Sequence, residues 1–262
     1  MRRVSIAAVL LLAVLSVTQP AGAAAVKVAT AGDIARASFA TPQQQTADLV
    51  TAFNPTAVFT LGDEQYPHGS LGDFQTYYDA SWGALRSITY PIPGNHEYET
   101  TDAAGYYAYF GAAAGDPTKG YYSFNIGDWH VVALNSECPH IDCTAEKSWL
   151  KADLAADTHL CEVAFYHRTS LAWPRKKMEN AGGDLALAGH SHTYERWAGE
   201  NGLVRFTVGT GGFSLGTPDP GAIVGIAAFG VLELTLDTSS YTWSFVDTGG
   251  TVRDSGSTNC HS

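Results

Sequence analysis

The sequence is poor in basic residues. It contains 15 lysines and arginines against 26 aspartates and glutamates, which gives a formal net charge of -11 at pH 7. A chain with this balance lacks the basic patches that bind a phosphate backbone, so we expect no nucleic-acid partner. A site that handles phosphate in such a chain must take its positive charge from another source, and metal ions are the obvious one.

Long hydrophobic runs are also scarce. The one present, Ile6 to Val17, follows two arginines and precedes the small residues Ala21 to Ala23. It is shorter than the about 20 residues needed to span a bilayer. These features are typical of a cleaved secretory signal. We therefore predict a signal peptide over residues 1–23 and a mature domain over residues 24–262. Its charge is about -13, and we expect a secreted protein with no membrane contact after cleavage.

The sequence lacks the paired CxxC spacing of cysteine metal sites. Its four cysteines fit two disulfides instead, as export permits. Cys138 and Cys143 flank a short loop that a bridge could close, which leaves Cys161 to pair with Cys260. The chain also shows no internal repeat and no low-complexity tract. Its mature length of about 240 residues fits one large domain.

Strand-like and helix-like segments alternate along the chain. Helices are predicted over Thr41 to Phe53, Leu71 to Leu85 and Thr144 to Ala156, and the chain is β-rich from Leu203 onward. Five apolar strands each end in a polar cluster. They are Val26 to Ala31, Ala57 to Leu61, Ile88 to Ile92, Cys161 to Tyr166 and Asp184 to Ala188. In α/β folds, the loops at the carboxyl ends of the strands converge on one crevice. The sequence therefore predicts one site made of five loops.

The five clusters carry side chains that suit metal ions. They are Gly32-Asp33, Gly62-Asp63-Glu64-Gln65-Tyr66, Gly94-Asn95-His96-Glu97, Tyr166-His167 and Gly189-His190-Ser191-His192. A single Gly-Asp or a single histidine is more often an ordinary turn or a core residue, but all five in order are far more specific. Carboxylate, phenolate and imidazole groups suit iron, zinc and manganese. One carboxylate shared by two ions holds them about 3.5–4 Å apart, so that both contact one phosphoryl group.

The clusters resemble the five-block pattern of purple acid phosphatases, within the calcineurin-like metallophosphoesterase superfamily. That pattern is an Asp, GDxxY, GNH[DE], a strand ending in His, and GHxH. The resemblance implies an α/β fold, a four-layer αββα sandwich of two mixed β-sheets flanked by helices. It also implies a role for each matching position. The first metal would be held by Asp33, Tyr66 and His192, and the second by Asn95, His167 and His190. Asp63 would bridge the two metals. His96 would stand beside the substrate.

The implied activity is hydrolysis of a small-molecule phosphate ester, most simply a phosphomonoester in the manner of acid phosphatases. A hydroxide shared by the two metals would attack phosphorus, and His96 would assist the leaving group. The implied cofactors are two transition-metal ions, Fe(III) plus Fe, Zn or Mn. The alternatives are a phosphodiesterase or phospholipase-type hydrolase with the same metals, and a non-catalytic phosphate-binding module. The last should have lost a ligand or His96, and all are present.

Tyr66 needs a separate argument, because a tyrosine after Gly-Asp could simply pack in the core. Superfamily members without a tyrosine ligand carry a histidine two residues after the first Asp, and here that residue is Ala35. Without Tyr66 the first metal would be one ligand short, which favours ligation and therefore iron(III).

The sequence departs from the family after the fourth cluster. The family usually has His-x-Pro and then a long connection that helps to wall the substrate site, whereas this chain has His167-Arg168-Thr169 and a short connection, Ser170 to Gly183. The histidines outside the clusters are interpreted otherwise: His130 as structural, and His140, His159 and His261 as solvated surface residues.

Overall fold

The computed structural model describes residues 24–38 and 41–261, so the predicted signal peptide over residues 1–23 lies outside the described residues. The strands are β1 (Val26–Ala31), β2 (Ala57–Thr60), β3 (Thr89–Pro91), β4 (Tyr122–Ile126), β5 (Trp129–Ala133), β6 (Cys161–Tyr166), β7 (Leu185–Ala188), β8 (Tyr194–Ala198), β9 (Val204–Val208), β10 (Val224–Ile226), β11 (Gly230–Leu236), β12 (Ser240–Asp247) and β13 (Val252–Asn259). The α-helices are α1 (Thr41–Phe53), α2 (Leu71–Asp73), α3 (Ala104–Phe110), α4 (Cys143–Ala156) and α5 (Ala172–Ala181).

The strands form two mixed sheets. The first has the order β13-β12-β11-β1-β2-β3, and the second has the order β10-β8-β9-β7-β6-β5-β4. In the first sheet β1, β2 and β3 are parallel, and in the second β5, β6, β7 and β9 are parallel. The remaining strands pair antiparallel. No helix within the described ranges is long and apolar enough to cross a bilayer.

The two sheets pack face to face through large aromatic side chains. Phe59 of β2 stacks on Phe165 of β6 with ring centroids 4.8 Å apart, and Tyr194 of β8 stacks on Phe245 of β12 at 4.1 Å. Such pairs bury much apolar area between the sheets. Helix α1 packs on the first sheet, and α4 and α5 pack together beside β6 of the second. The predicted four-layer α/β sandwich is confirmed.

The central parallel strands are apolar on both faces, because sheet packs on one side and helix on the other. All four residues of β2 and all four of β7 are buried. Because these strands are buried, their charged and metal-competent residues lie beyond their ends, where the five predicted clusters begin.

The predicted helix from Leu71 to Leu85 is only partly right. Helix α2 passes into a π-helical turn at Phe74–Tyr78, and a 3-10 helix follows at Trp82–Ile88. Phe74, Tyr78 and Trp82, each four residues apart, are all fully buried. Residues four apart lie on one face of a helix, so all three side chains point into the core.

Some elements were not predicted from the sequence. Strand β13 reads VRDSGSTN, with no alternation of apolar and polar residues, and it is held by its backbone pairing with β12. The short connection after His167 folds as α5.

Both predicted disulfides are present, Cys138–Cys143 and Cys161–Cys260, and no described cysteine is free. The second bridge ties the end of β13 to the first residue of β6. The chain's last strand is thereby fixed to the strand that leads to His167.

Candidate metal centre

The five loops predicted to converge do meet at one edge of the sandwich. A first group of donor atoms comes from the loops after β1, β2 and β7. The Asp33 Oδ1 atom lies 2.7 Å from the Tyr66 Oη atom and 3.1 Å from His192 Nε2. The Tyr66 Oη atom lies 3.1 Å from His192 Nε2. These are the three residues predicted to hold the first metal.

A second group comes from the loops after β3, β6 and β7. The His167 Nε2 atom lies 3.3 Å from Asn95 Oδ1 and 3.1 Å from His190 Nδ1. These are the three residues predicted to hold the second metal. Asp63, His167 and His190 together have donor atoms within 4.8 Å of one another, close enough to hold an ion.

The Asp63 carboxylate lies between the two groups. Its Oδ2 atom is 2.8 Å from Tyr66 Oη on one side and 3.2 Å from His167 Nε2 on the other. Its Oδ1 atom accepts the backbone N–H of His96 at 2.9 Å. One oxygen of Asp63 thus faces both groups, while the other fixes the carboxylate to the loop after β3.

Hydrogen bonds on the far side of two histidine rings set which nitrogen faces the centre. The Nδ1 atom of His167 contacts the Leu61 carbonyl oxygen at 2.7 Å, so this nitrogen carries the proton and donates. The Nδ1 atom of His192 contacts Ser214 Oγ at 2.7 Å. This arrangement leaves both Nε2 atoms aimed inward, as it does in histidines that bind metals.

His96 lies at the rim of the centre. Its Nδ1 atom contacts the carbonyl oxygen of Pro67 at 2.6 Å, and its Nε2 atom lies 4.0 Å from Asp63 Oδ2. The side chain is 30% exposed, whereas that of Asp63 is 1% exposed. The structure therefore places His96 beside the two groups and open to solvent.

The backbone that presents these side chains is strained. Asp33, Asp63, His190 and His192 have φ values of 58°, 50°, 70° and 47°, the left-handed region that L-residues rarely adopt. Four non-glycine residues in this conformation at one place mark a functional site, because the strain needs surrounding structure to hold it. Gly94 is required for a related reason, since a Cβ there would collide with the Asp63 carboxylate.

Glu97 braces two of the loops from behind. Its buried carboxylate accepts backbone N–H groups of Asp63 at 2.9 Å, Gln65 at 3.2 Å and Gly94 at 2.8 Å. Burial, and then the negative charge of Asp63, raise the pKa of Glu97 to about 8. Glu97 therefore supports the site by tying the loop after β2 to the loop after β3.

The centre is short of positive charge. Asp33 and Asp63 are buried, and in the described part of the chain they pair only with histidines. Burial alone would lower the pKa of His167, but the Asp63 carboxylate beside it raises that pKa to about 10. Burial, and then the charges of Asp33 and Asp63, raise the pKa of Tyr66 far above its ordinary value. A phenolate at Tyr66 would therefore need a strong cation beside it, and the donor set fits metal ions.

Two residues that border the centre were not predicted from the sequence. The ring of Phe213 stacks on Tyr66 with centroids 3.5 Å apart and planes 3° apart. Ser214 orients His192 as described above. The glycine-rich run Gly209-Thr210-Gly211-Gly212 precedes them in the sequence, but it gives no information about a stacking partner for Tyr66.

Arg168 and a cavity lie on the side of the second group. The Arg168 Nε atom donates to both oxygens of Glu137, at 2.8 and 2.9 Å. A cavity of about 620 Å³ is lined in part by Thr169 and Ser191, whose hydroxyls are 2.9 Å apart. Ala186 and Ala188, the small residues that alternate with the core leucines of β7, also line it.

Comparison with known proteins identifies a family and several solved structures that share this architecture. A family model described as calcineurin-like phosphoesterase matches residues 26–194, more than half of the chain. A purple acid phosphatase from yellow lupin (Lupinus luteus) seeds superposes with a TM-score of 0.79 and 18% identity, over 92% of this chain and 55% of the lupin chain. The present chain thus spans little more than half of the lupin protein.

Two further solved structures share the fold. GAP50 of Plasmodium, named as the anchor in the inner membrane complex, gives a TM-score of 0.66 and 13% identity over 91% of this chain and 90% of its own. A dimetal phosphatase from Danio rerio gives a TM-score of 0.64 and 13% identity over 90% of this chain and 99% of its own. No curated protein sequence matches this chain.

Proposed function

Because this chain belongs to the calcineurin-like phosphoesterase family, we propose that it is a two-metal hydrolase of phosphate esters, acting mainly on small monoesters. The observation that carries the proposal is the position of the Asp63 Oδ2 atom. It lies within 3.2 Å of a donor in each of two groups of side chains. A carboxylate shared in this way is what a pair of ions requires.

The proposed ligands follow from this grouping. Asp33, Tyr66 and His192 hold one ion, Asn95, His167 and His190 hold the other, and Asp63 belongs to both. The ions would be Fe(III) at the Tyr66 side, with Fe, Zn or Mn at the other. When bound, they supply the Lewis acidity that activates a water nucleophile and offsets charge on the phosphoryl oxygens.

His96 has a separate role in the proposal, as the acid for the leaving group. Its Nδ1 atom is held by the Pro67 carbonyl oxygen, so its Nε2 atom is the one free to carry and give a proton. The side chain is partly open to solvent at the rim, where the leaving oxygen of a substrate would lie. Both observations support general acid catalysis by this residue.

Diester hydrolysis is the second candidate, and one observation favours it. The cavity of about 620 Å³ is lined in part by Ser191, which stands between the proposed ligands His190 and His192 in the sequence. It is large enough for the second organic group of a diester. A non-catalytic role is the weaker alternative. It has a precedent in the fold, since a structural neighbour is named as an anchor, but this chain keeps His96 and every proposed ligand.

We also propose that the protein acts outside the cytoplasm. Two disulfides among the described residues support this placement, because such bridges persist in oxidising compartments.

The test is metal analysis combined with a substrate pair. Purified protein should contain at least two transition-metal ions per chain, and Asp63→Ala should lose two of them together. The protein should hydrolyse an aryl monoester with a higher kcat/KM than the matching aryl diester. A higher value for the diester would select the second candidate. Full activity with one ion or none would overturn the mechanism.

A further inference from the structure

A second group of histidine and carboxylate side chains lies at the opposite end of the second sheet. This distal cluster consists of His130, Asp157 and His159, whose donor atoms lie within 4.8 Å of one another. The Asp157 Oδ1 atom is 2.6 Å from His159 Nδ1 and 3.7 Å from His130 Nδ1. The side chains of His130 and Asp157 are 8% and 6% exposed, and that of His159 is 26% exposed. His159 is thus not the solvated residue expected from the sequence.

The distal cluster joins elements that are separate in the chain. His130 lies on β5, and Asp157 ends α4, where its backbone N–H donates to the Asp153 carbonyl oxygen. His159 lies in the loop that leads into β6. Asn125 of β4 is the cross-strand partner of His130, and its Oδ1 atom is 2.7 Å from His130 Nδ1. Four donor atoms therefore meet between a hairpin and a helix end.

The contacts behind His130 resemble those behind metal-binding histidines. Its Nε2 atom lies 2.9 Å from Asp153 Oδ2, and the other oxygen of Asp153 accepts a hydrogen bond from Ser123 at 2.8 Å. A histidine that donates one N–H to a fixed carboxylate presents its other nitrogen as a ligand. For His130 that nitrogen is Nδ1, which lies 2.7 Å from Asn125 Oδ1 and 3.7 Å from Asp157 Oδ1. Both of these oxygens are acceptors, so this nitrogen must bind either a proton or a metal ion.

The surroundings of the distal cluster are negatively charged. Four carboxylates lie there, those of Asp153, Asp157, Glu162 and Asp184. Within residues 24–38 and 41–261, none of them pairs with a lysine or an arginine. Glu162 is the strand neighbour of His130, and its Oε2 atom is buried with no described hydrogen-bond partner. Burial, and then the nearby carboxylates, raise the pKa of Glu162 to about 7. The nearby carboxylates would stabilise a cation at the distal cluster, either a protonated histidine or a metal ion.

We propose that the distal cluster binds a further metal ion, a divalent cation of the zinc class, through His130 Nδ1, Asp157 Oδ1 and His159 Nδ1. The Asn125 Oδ1 atom offers a fourth ligand. Two imidazoles and a carboxylate select zinc and its neighbours over calcium or magnesium, which prefer all-oxygen sites. Tetrahedral zinc spaces such ligands about 3.4 Å apart. The observed contacts of 2.6, 2.7 and 3.7 Å would each have to change by less than about 1 Å on zinc binding.

The ion would reach the distal cluster through His159, which lines a cavity of about 310 Å³ with Leu160 and Glu162. His130 pairs in register with Glu162, five residues before His167, so the two sites are roughly 15–20 Å apart along the strands. At that distance the ion would not touch a substrate at the proposed metal centre. Its role would be to fasten the β4–β5 hairpin to the end of α4.

The experiment compares zinc binding in wild-type protein and His159→Gln, with His140→Gln as a matched control. His140 is exposed and lies outside the distal cluster, where its ring stacks on Tyr98. Zinc-loaded wild type and the control should hold one more zinc ion per chain than His159→Gln. At zinc concentrations about 100-fold above Kd, the zinc-induced rise in Tm should be about 5–10 °C larger in wild type.

The readout is a difference of one ion, so it does not depend on how many ions the proposed metal centre holds. Asp157→Asn, which keeps the size of the side chain, repeats the test if His159→Gln does not fold. With cobalt(II) in place of zinc, the visible absorption of a four-coordinate site should also fall in either variant. Equal zinc content and equal Tm shifts in wild type and a folded variant would overturn the proposal. The distal cluster would then be a set of histidine–aspartate ion pairs.

Discussion

The two ends of the second sheet gather similar side chains on different backbones. At the proposed metal centre, Asp33, Asp63, His190 and His192 all have positive φ values. In the distal cluster, none of His130, Asp157 and His159 does. The first arrangement aims several ligands from five loops at one carboxylate, and it does so at a conformational cost of about 1–3 kcal/mol for each strained residue.

This difference in backbone strain distinguishes the proposed metal centre from the distal cluster. A site that is strained must be held by its surroundings, such as the Glu97 carboxylate that ties two of the loops. A site on relaxed backbone adds stability when it is filled and requires no such brace. We therefore expect substitutions at the proposed metal centre to act mainly on activity, and substitutions at the distal end to act mainly on stability.

The largest effect should come from His96→Ala. Both metals should be retained, since His96 is not a proposed ligand, and kcat should fall by about 10²–10⁴-fold for a substrate with a poor leaving group. The loss should shrink for a substrate with a very good leaving group, because less proton transfer is needed. This prediction is checked by stopped assays on both substrates, together with metal analysis. His140→Ala is the control. Normal turnover of the poor leaving group would remove His96 from the mechanism.

The Tyr66→Phe substitution should change the colour of the protein and leave its fold intact. If Tyr66 binds iron(III) as a phenolate, light moves electron density from the ring to the metal, and the oxidised protein should be pink to purple. The substitution removes only the hydroxyl oxygen and keeps the ring against Phe213, so the visible band should disappear while the protein stays folded. Tyr121→Phe, whose ring packs on Trp149, is the control. A colourless iron-loaded wild type, or a variant that keeps its band, would show that Tyr66 is not a ligand.

The two disulfides allow the two ends of the second sheet to be compared directly. Cys138–Cys143 lies near the proposed metal centre and closes 5 residues, whereas Cys161–Cys260 lies at the distal end and closes 99. In the chain-entropy model these loops correspond to about 2 and about 5 kcal/mol of stability. Denaturant unfolding of the two paired Cys→Ser variants should therefore show the larger loss for Cys161–Cys260. Equal losses would contradict the entropic explanation.

The smallest effect is a pH dependence at Glu146, a buried residue of α4 that accepts the Asn135 backbone N–H at 2.8 Å. Burial raises the pKa of this carboxyl from 4.5 to about 8. Between these values the folded chain keeps a proton that the unfolded chain has lost. The stability from this group is therefore full below pH 4.5 and is lost as pH rises to about 8.

Glu146→Gln removes that titration while keeping an oxygen for the Asn135 N–H. It should raise the free energy of unfolding at pH 7 by up to about 3 kcal/mol and leave it little changed at pH 4. Urea unfolding of both proteins at the two pH values measures this. An equal change at both would exclude the titration of Glu146 as the cause.

Much of the proposed metal centre could be located from the sequence because its residues stand in short motifs at strand ends. Tyr66 lies three residues after Asp63, and His192 lies two after His190, so each pair is fixed by local geometry. The helix α1 and the strands β1 and β6 were predicted with their observed bounds for a similar reason, since their periodicity is local.

The failures have a common cause. Strand β13 and the break in the helix after Leu71 depend on neighbours far along the chain. The pattern of residues within each segment carries no information about those neighbours. The stacking of Phe213 on Tyr66 joins residues almost 150 positions apart, and no motif links them. His130 looked ordinary because its partners, Asp153 and Asp157, come from a different element.

The sequence by itself determined which side chains stand at the strand ends, their order, and the Cys138–Cys143 pair, since each depends on residue type and short spacing. The Cys161–Cys260 pair followed because only two cysteines then remained. The tertiary structure decided the rest. Only the packing of two sheets brought Asp33 and His192 within 3.1 Å of each other, and only the docking of α4 beside β5 placed Asp157 against His130. Contacts of that kind are fixed by the burial of whole faces, which no short stretch of sequence encodes.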